Sequence, residues 1–454
     1  MVDIASFIPK ELIEMAKLFP EQAPLYVVGG FVRDAILYEN ASTDIDITSA
    51  LTPPELNYVL KNSPFSVKAA SLRLGTMIIK GERSYEYTSF RVDSYPQEKG
   101  DHSPQEVIFT RNIEKDAKRR DFKSNAVYYD ILHDKIVDPL NGLKDIDDKV
   151  LSTTIDPYAV LSQDGLRIMR LARMVACHDF TIEPETLEAA TKLAGRLRDI
   201  SIERISTELV KILLSDNPYK GLDVLRKTNA FRFCIPELAD ANGYPQNEKY
   251  HCYDVLEHTF KTVENSPKKI RIAALFHDIA KPSCMEKDGN MYKHDMVGAK
   301  MTKKILTRMK FPKQVVDQTA ELVGAHMFDM SRTAKKATIR RFIVAHVDCI
   351  SELIALQKAD ALATGMVSEP LMESNLQKQY KEMKEKNIPM RISELEINGR
   401  DLAQFGFKGK MIGSVLEEIF DNCLIECIKN ERPVLEKYAR KKWEKMNGNS
   451  DFNN

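Results

Sequence analysis

Two aspartates separated by one residue are the first sign of chemistry in this sequence. Asp44 and Asp46 follow an apolar run in the segment LYVVGGFVRDAILYENASTDIDIT. On a strand, side chains at positions i and i+2 point to the same face, so the two carboxylates would lie together. Hard oxygen ligands of this kind suit Mg²⁺, which usually also binds the phosphates of its substrate. The pair therefore predicts a site for one or two divalent cations that activate a hydroxyl group and stabilise a leaving pyrophosphate.

Two glycines precede this pair and could admit a phosphate group. Gly29 and Gly30 carry no Cβ, so they would leave backbone N–H groups near a helix N-terminus open to a triphosphate. Arg33, one helical turn later, can neutralise phosphate charge. Each signal is weak alone, because paired aspartates are common on surfaces and paired glycines are common in turns. Their combination carries the prediction.

A second group of chemically active residue types follows residue 250, where most of the nine histidines lie. Neutral imidazoles suit transition metals, and aspartates can bridge two metal ions. A lone histidine on a helix is usually packed or solvated, but these fall at similar points in successive helical segments. The predicted ligands of one or two divalent metal ions, either a transition metal or Mg²⁺, are His258, His277, Asp278, His294, His326 and Asp360.

The elements that must position these residues change along the chain. β-Branched and aromatic runs predict strands in the first 150 residues, and helical periodicity dominates after Pro157. The predicted fold class is α+β, with a head built on a mixed sheet with helices, followed by all-α domains. The predicted domains are a head at 1–150, a helical neck at 151–240, a histidine-rich domain at 241–380, a helical tail at 381–446 and a disordered end at 447–454.

Composition limits the classes of protein that remain. The 454 residues are too many for one ordinary core, and the formal net charge is zero, so a nucleic-acid site would be a local patch. No apolar run is long enough to predict a membrane span, and the N-terminal pattern is an amphipathic helix rather than a signal peptide. Seven scattered cysteines without a CxxC pair indicate reduced thiols and a cytoplasmic location.

Several motifs resemble one enzyme family. GGFVRD, a linker and then DIDIT are similar to the signature of the class II tRNA nucleotidyltransferases, the CCA-adding enzymes of the polymerase-β-like nucleotidyltransferase superfamily. KRRDFKSNA at 118–126 is similar to the family's RRDFxxNA element, and QDGLR at 163–167 falls where the family carries EDxxR. SIERISTEL resembles its neck helix, in which Glu203 and Arg204 are expected to be structural.

The resemblance implies roles for residues of the head and neck. Asp44 and Asp46 would be catalytic and bind Mg²⁺, while Asp164 and Arg167 would select CTP or ATP by contacts to the base. At i and i+3, the two selecting residues would share one helical face. Gln163 replaces the family's glutamate and keeps a carbonyl acceptor without its charge, so we expect the selection to survive. The implied nucleotide-binding residues are Gly29, Gly30, Arg33, Asp34, Arg119, Arg120, Asp121, Asn125, Asp164, Arg167, Arg170 and Arg173.

A loop and the tail complete the resemblance. FRVDSYPQEKGDHSPQEVIF occupies the position of the family's flexible loop, with matches at Arg91, Asp93, Tyr95 and Pro104 but with His102 and Ser103 where arginines are common. A loop of this length favours addition of the full CCA. The C-terminal segment resembles that of the family, and its exposed cations, Lys408, Lys410 and KYARKKWEK, are either tRNA phosphate contacts or solvated lysines.

The histidine-rich segment resembles the HD phosphohydrolase superfamily through the order H…HD…H…H…D. This resemblance implies a metal-dependent phosphatase or 2′,3′-cyclic phosphodiesterase acting on RNA ends. His258, His277, Asp278 and Asp360 would be primary ligands, with His294 and His326 as ligands of a second metal or phosphate contacts. Two other histidines, His251 and His346, are expected to be structural.

Together the motifs predict an enzyme that adds or repairs the 3′-terminal CCA of tRNA from CTP and ATP without a nucleic-acid template. The expected partners are tRNA, ATP and CTP, with no membrane and no obligate protein partner. Three alternatives stay open: a CC-adding, A-adding or poly(A)-adding enzyme of the same family, a phosphohydrolase whose head is only an RNA-binding platform, and a non-catalytic tRNA chaperone.

Overall fold

The computed structural model of the chain describes residues 3–39, 44–94, 105–248, 251–366 and 373–448. These residues fall into two compact units, Met1–Asn242 with Arg308–Phe311, and Gly243–Thr307 with Pro312–Asn454. The division after Asn242 lies two residues from the predicted boundary at 240. The other predicted boundaries stay predictions. The predicted loop residues Tyr95, His102, Ser103 and Pro104 lie outside the described residues, as does most of the predicted disordered end.

A seven-stranded mixed sheet forms the centre of the first unit, in the order β3-β4-β5-β2-β1-β8-β9. β2 runs parallel to β5, and the other neighbouring strands in this sheet are antiparallel. Its strands are β1 (Tyr26–Val28), β2 (Asp46–Ser49), β3 (Ser66–Ser71), β4 (Thr76–Lys80), β5 (Ser84–Ser89), β8 (Tyr128–Asp130) and β9 (Lys135–Val137). Two small ribbons pair β6 (Arg91–Ser94) with β7 (Glu106–Phe109) and β10 (Val150–Leu151) with β11 (Thr181–Ile182).

Helices cover the sheet and continue beyond it within the first unit. The described helices of the sheet region are α1 (Lys10–Ala16), α2 (Gly30–Tyr38), α3 (Pro53–Leu60), α4 (Ile113–Lys118) and α5 (Gly142–Asp147). Those that follow are α6 (Pro157–Gln163), α7 (Leu166–His178), α8 (Pro184–Leu193), α9 (Ile202–Leu214), α10 (Pro218–Lys227), α11 (Phe231–Cys234) and α12 (Pro236–Ala239). The mixed-sheet head followed by helices confirms the predicted fold class.

Burial alternates along the strands, which fixes the face that meets the core. On β5, Tyr85 and Tyr87 are buried while Ser84 and Glu86 are exposed, as expected for a sheet whose two faces meet different surroundings. The central strands β1 and β2 contribute Val27 and Ile47 to the same core. The strand register then places Asp46 opposite Val28, directly beside the turn that starts α2.

The second unit is helical throughout its described residues. Its first helices are α13 (Val255–Asn265), α14 (Arg271–Phe276), α15 (Lys281–Asp288), α16 (His294–Arg308, whose last residue belongs to the first unit), α17 (Lys313–Ala325), α18 (Lys336–Ala345) and α19 (Ile350–Ala363). Then follow α20 (Asn375–Glu385), α21 (Gly399–Gln404), α22 (Lys410–Leu424) and α23 (Arg432–Gly448). α21 to α23 enclose a small apolar core that includes Leu402, Ile419 and Leu435. No helix in the described ranges is long and apolar enough to cross a membrane.

A glycine at the start of α5 limits what can pack there. A Cβ on Gly142 would overlap the backbone carbonyl of Lys123 and crowd Val127. We expect Gly142→Ala to destabilise the protein by about 1–3 kcal/mol, because a backbone group cannot move aside cheaply. Thermal and urea unfolding would measure this loss. Gly195→Ala is the matched control, since its Cβ would meet only the ring of Phe233 at 3.9 Å, and equal losses in both variants would contradict the packing argument.

Candidate active sites

One cavity of the first unit gathers all fourteen residues that the sequence predicts for the head. It has a volume of about 730 Å³ and is lined by nine basic and six acidic side chains. An excess of positive charge in a cleft favours a polyanionic ligand. The predicted residues in its wall are Gly29, Gly30, Arg33, Asp34, Asp44, Asp46, Arg119, Arg120, Asp121, Asn125, Asp164, Arg167, Arg170 and Arg173.

The two aspartates lie beside the glycine turn. Strand β2 begins at Asp46, so the prediction that both aspartates lie on a strand is wrong for Asp44, which lies two residues before it. Gly29 has φ +82°, and a Cβ there would approach Asp46 Oδ2 to 3.7 Å and Arg120 to 4.0 Å. Partial desolvation and the nearby Asp44 raise the pKa of Asp46. Two carboxylates placed side by side are a donor set that a hard divalent cation suits.

A buried carboxylate that the sequence did not single out holds two arginines of the cavity. Asp116 is fully buried, accepts from Arg119 Nε at 2.8 Å and from Tyr128 Oη at 2.7 Å, and lies 3.3 Å from Arg120 Nη2. Burial opposes its ionisation, but Arg119 and Arg120 outweigh that effect and lower the pKa of Asp116. The carboxylate thus fixes both guanidinium groups from behind. The sequence marks Asp116 only by its spacing, because it lies three and four residues before Arg119 and Arg120, one helical turn away.

A second buried carboxylate orders the next part of the wall. Asp121 accepts from Arg170 Nε at 2.6 Å and from Asn125 Nδ2 at 3.1 Å. Asn125 in turn accepts from Arg33 Nη1 at 2.5 Å, and Arg33 also donates to its neighbour Asp34 at 2.7 Å. Although burial alone would raise it, Arg170 and the hydrogen bond from Asn125 lower the pKa of Asp121 well below its usual range. Residues distant in sequence thereby form one network.

The pair predicted to select the base is arranged differently from the prediction. Asp164 precedes α7, where its Oδ1 accepts from Leu166 N at 3.0 Å, so the prediction of a shared helical face is wrong. Its Oδ2 pairs with Arg204 Nη2 at 2.8 Å. The chain turns at Asp164, which is extended with φ −145° and ψ 108°, and a Cβ on the following Gly165 would overlap the backbone of Arg196. Arg204, expected to be only structural, therefore also lines the cavity.

The guanidinium of Arg167 is held by backbone and amide acceptors. It is buried, and its Nη1 donates to Val160 O at 2.9 Å and to Gln163 Oε1 at 2.8 Å. Its Nη2 donates to Arg119 O at 2.8 Å. Gln163 thus acts through the carbonyl acceptor that the sequence argument gave it, without a charge.

Three residues near the end of α7 and on α9 were missed by the sequence reading. Glu208 accepts from Arg173 Nε at 2.7 Å, and Lys211 and His178 line the cavity. Burial and the charges of Arg33 and Arg173 lower the pKa of His178 to about 3, so its ring is neutral at physiological pH. Glu208 and Lys211 are three residues apart on one helical face, a spacing that could have marked them.

In the second unit, all six predicted metal ligands converge. His258 Nε2 lies 2.9 Å from Asp360 Oδ1 and 3.3 Å from His277 Nε2. Asp278 stands between two triads, one with His258 and His277 and the other with His294 and His326. Its two oxygens lie 3.2 Å from His277 Nε2 and 3.2 Å from His294 Nε2, respectively. A carboxylate placed between two imidazole pairs can bridge two metal ions.

Backbone carbonyls orient three of these imidazoles. The Nδ1 atoms of His277, His294 and His326 lie 2.7–2.8 Å from carbonyl oxygens three residues earlier in the chain. Each therefore carries its proton on Nδ1 and turns Nε2 to the centre, as metal-binding histidines do. His326 Nε2 is buried, lies 3.9 Å from Asp278 Oδ1 and has no hydrogen-bond partner among the described residues. This donor set fits a divalent metal.

Two residues outside the predicted cluster border it. Lys281 Nζ lies 2.6 Å from Asp278 Oδ2, and the ring of His251, expected to be structural, lies 4.8 Å from that of His258. Both line a cavity of about 560 Å³ next to the cluster. In the tail, Lys408 and Lys410 are exposed, and Lys410 is the first residue of α22.

Comparison with protein families divides the chain in the same way. Residues 25–152 match the model described as the poly A polymerase head domain. Residues 179–242 match one described as a probable RNA and SrmB-binding site of polymerase A, and residues 249–365 match the HD domain. Domains of the head and HD classes typically use divalent metals.

Two relatives illustrate the similarity in sequence. An A-adding tRNA nucleotidyltransferase of Deinococcus radiodurans is 34% identical over 268 residues, which cover 55% of this chain and 60% of that protein. The chain thus matches less than two-thirds of that relative's length. A CCA-adding enzyme of Ligilactobacillus salivarius is 27% identical over 428 residues, 92% of each chain.

Two solved structures share the fold over nearly their whole length. The Bacillus stearothermophilus CCA-adding enzyme in complex with CTP has a TM-score of 0.65 at 20% identity, covering 97% of this chain and 98% of that one. The Thermotoga maritima CCA-adding enzyme complexed with tRNA has a TM-score of 0.60 at 19% identity, covering 96% of each.

The mixed-sheet head, its paired carboxylates and its arginine-lined cavity define a nucleotidyltransferase of the poly(A) polymerase head type. More narrowly, the chain is similar to CCA-adding enzymes over 92% of its length in sequence and 97% in fold, and its residues 249–365 match the HD domain.

The buried Asp121 gives the first unit a specific dependence on acid. Because folding lowers its pKa, the ionised carboxylate stabilises the fold above the unfolded value of about 4, and this stabilisation is lost as pH falls below it. We expect Asp121→Asn to lower the free energy of unfolding by about 2 kcal/mol at pH 7, and the difference from wild type to shrink below about pH 4. Urea unfolding at several pH values measures it.

The exposed Asp148→Asn in the same unit is the control for Asp121→Asn and should differ little from wild type at any pH. A gap between wild type and Asp121→Asn that stays constant down to pH 3 would contradict the ion-pair assignment.

Proposed function

We propose that the protein adds cytidine and adenosine residues to the 3′ end of tRNA, building or repairing CCA from CTP and ATP without a nucleic-acid template. The observation that carries this proposal is the presence, in one cavity, of Asp44, Asp46 and eight arginines. The names of the relatives and of the structural neighbours give it further support.

The residues of the cavity divide the work of the transfer. The 3′-hydroxyl of tRNA attacks the α-phosphate in line, forming the new ester bond while pyrophosphate leaves. Asp44 and Asp46 would hold Mg²⁺, which when bound supplies charge for activating the hydroxyl and stabilising the leaving group. Arg119 and Arg120, fixed by Asp116, bind the triphosphate.

The glycine turn and Asn125 complete the nucleotide contacts. α2 starts at Gly30, so its first N–H groups and helix dipole can meet phosphate oxygens, and a side chain at Gly29 would approach Asp46 and Arg120. Asn125, held between Arg33 and Asp121, contacts the ribose. Arg170 and Arg173 continue the positive wall.

Choice of the base is assigned to Asp164 and Arg167. Asp164 presents carboxylate acceptors while Arg204 holds it, and Arg167 is positioned by Gln163 and two carbonyl groups. Acceptor and donor groups fixed in this way can recognise the Watson–Crick edges of C and A. The protein itself then takes the place of a template.

The second candidate is an A-adding enzyme. It is favoured by the 34% identity to a relative of that name, compared with 27% to a CCA-adding enzyme over a longer alignment. The match to that CCA-adding enzyme over 92% of both chains favours full CCA addition. Product length with CTP alone, ATP alone and both nucleotides distinguishes these activities.

We expect Asp46→Asn to lower nucleotide incorporation by about 1,000-fold or more, because it removes one of the two carboxylates that hold the metal. Labelled CTP and ATP are supplied to tRNAs that lack A, CA or CCA. Wild type should add the missing nucleotides to each and then stop.

Asp148→Asn is the control for Asp46→Asn, since Asp148 is an exposed carboxylate of the same unit and lies outside the cavity wall. It should retain wild-type activity. Incorporation that survives Asp46→Asn would refute the metal assignment. Failure of wild type to add C to tRNA lacking CCA, with A added to tRNA lacking only A, would favour the A-adding alternative, and long tails from ATP alone would favour a poly(A)-adding enzyme.

For the second unit we propose a metal-dependent phosphohydrolase that acts on RNA ends, as a phosphatase or a 2′,3′-cyclic phosphodiesterase. The fit of six imidazole and carboxylate donors around Asp278 supports this proposal. The imidazoles favour a transition metal over Mg²⁺. Lys281, on the rim of the adjacent cavity, can contact an anionic substrate.

Asp278→Asn should lower hydrolysis of 2′,3′-cyclic AMP by about 100-fold or more and leave nucleotide incorporation within about twofold of wild type. The reason is that Asp278 alone joins both imidazole pairs. Measured metal content should fall in parallel. Asp288→Asn, a change at the exposed last residue of α15, is the control. Equal hydrolysis by Asp278→Asn and wild type would place that activity elsewhere.

The location and partners follow from the same observations. We place the protein in the cytoplasm, because all seven cysteines are free thiols. We assign tRNA, ATP and CTP as its partners and no obligate protein partner. The exposed Lys408 and Lys410 are candidate phosphate contacts for tRNA.

A further inference from the structure

A third group of metal-ligating residue types lies in the second unit, apart from the histidine–aspartate cluster. It consists of Glu321 on α17 and of His346 and Cys349, which stand at the two ends of the short connection between α18 and α19. One ligand atom from each residue lies within 4.8 Å of the others. The triad shares no residue with the cluster around Asp278.

The local backbone brings these side chains together. Cys349 N donates to His346 O at 3.0 Å, which closes a single turn and puts the imidazole and the thiol on the same side of the connection. Glu321 then approaches from the neighbouring helix, with Oε1 at 2.9 Å from His346 Nδ1. The ring of Phe342, 4.5 Å from the imidazole and stacked on Phe328, restricts the orientation of His346.

The thiol of the triad is buried, whereas its imidazole and carboxylate are partly exposed to solvent, from which a cation could enter. The Cys349 side chain is enclosed, with 3% of the residue exposed, whereas the side chains of His346 and Glu321 are 23% and 43% exposed. An ion can therefore reach the thiol from solvent through the carboxylate and imidazole. The same opening leaves room for water as a fourth ligand.

The electrostatic environment of the thiol is negative. Burial and the adjacent Glu321 carboxylate raise the pKa of Cys349 to about 12, and Glu352 and Asp348 act in the same direction. Next to these negative charges, Cys349 is stable either as a neutral, protonated thiol or as a thiolate whose charge is balanced by a bound divalent cation. The geometry alone would also allow a hydrogen-bonded triad with no metal, which the experiment below separates from a metal site.

We propose that Glu321, His346 and Cys349 form a structural site for a divalent transition metal of the Zn²⁺ type. Thiolate, imidazole and carboxylate are all ligands of Zn²⁺, at about 2.0–2.3 Å, whereas Mg²⁺ does not favour sulfur or nitrogen. The ligand atoms must move inward slightly to reach these distances. Glu321 can do so because it is a flexible, exposed side chain.

Such an ion would tie together helices that carry ligands of the other cluster. α17 bears Glu321 and leads directly to His326, while Cys349 precedes α19, which bears Asp360. Crosslinking the start of α19 to α17 would restrict the motion of both helices. The proposed role is stabilisation of this arrangement, separate from any reaction.

Cobalt(II) is the probe, because a cobalt–thiolate bond produces an intense near-ultraviolet charge-transfer band. Chelator-treated full-length protein is titrated with Co²⁺ under a non-thiol reductant. The six predicted ligands of the histidine–aspartate cluster and the head carboxylates Asp44 and Asp46 include no cysteine, so a metal held by these ligands alone cannot give this band. We expect one thiolate-bound Co²⁺ per chain, competed away by Zn²⁺.

The variants assign the band to the triad. Cys349→Ser should abolish it, and Glu321→Gln and His346→Ala should weaken Co²⁺ binding in this band by about tenfold or more. Cys252→Ser is the matched control, because Cys252 is an exposed thiol near the other histidine cluster, and it should keep the band. Zn²⁺ should raise the Tm of wild type more than that of Cys349→Ser.

Two results would overturn the proposal: no thiolate band in wild type at saturating Co²⁺, or a band that survives in Cys349→Ser. If Cys349→Ser does not fold, the exposed Glu321→Gln decides, since unchanged Co²⁺ affinity there removes the carboxylate from the site and identifies a hydrogen-bonded triad. Nucleotide incorporation and cyclic phosphate hydrolysis are measured alongside, and their loss or survival does not bear on the band.

Discussion

The structure of the first unit depends on placing eight positively charged arginines around one cavity while limiting the repulsion between them. Eight arginines line its cavity, and each one donates to an acceptor supplied by the protein. Because a guanidinium stays charged at any physiological pH, it must be neutralised locally or left in water. The acceptors are Asp34 for Arg33, Asp93 for Arg91, Asp116 for Arg119 and Arg120, carbonyl groups for Arg167, Asp121 for Arg170, Glu208 for Arg173 and Asp164 for Arg204.

This constraint sorts the carboxylates of the head into two kinds. Asp116 and Asp121 are buried behind arginines, which lower the pKa of each. They remain anionic and act by fixing guanidinium groups. Asp46 faces the open cavity, where partial desolvation and Asp44 raise its pKa. A cation shared by Asp44 and Asp46 would relieve this repulsion, whereas a cation near Asp116 would meet two arginines, which is why the proposed metal site is at the first pair.

Much of this could be predicted from sequence because the motifs contain the ligands themselves. The paired aspartates, the glycine turn and the arginine pair are local patterns, and the change from strand to helical periodicity gave the mixed-sheet head. Asp116 and Glu208 were missed because a single acid on a helix does not reveal which arginine it meets. The placement of Asp164 was wrong because spacing alone does not show that Asp164 is extended and caps the Leu166 N–H, so that α7 begins two residues later.

The two principal sites differ in how they position the side chains that are proposed to bind metal ions. In the head, hard oxygen ligands face an open cavity, and the surrounding guanidinium groups discourage any metal that is not accompanied by an anionic ligand. In the second unit, backbone carbonyls fix the imidazoles with Nε2 turned inward, so the donors converge without any substrate. Under the proposed function, the first arrangement would couple metal binding to nucleotide binding, while the second would retain its metal between reactions.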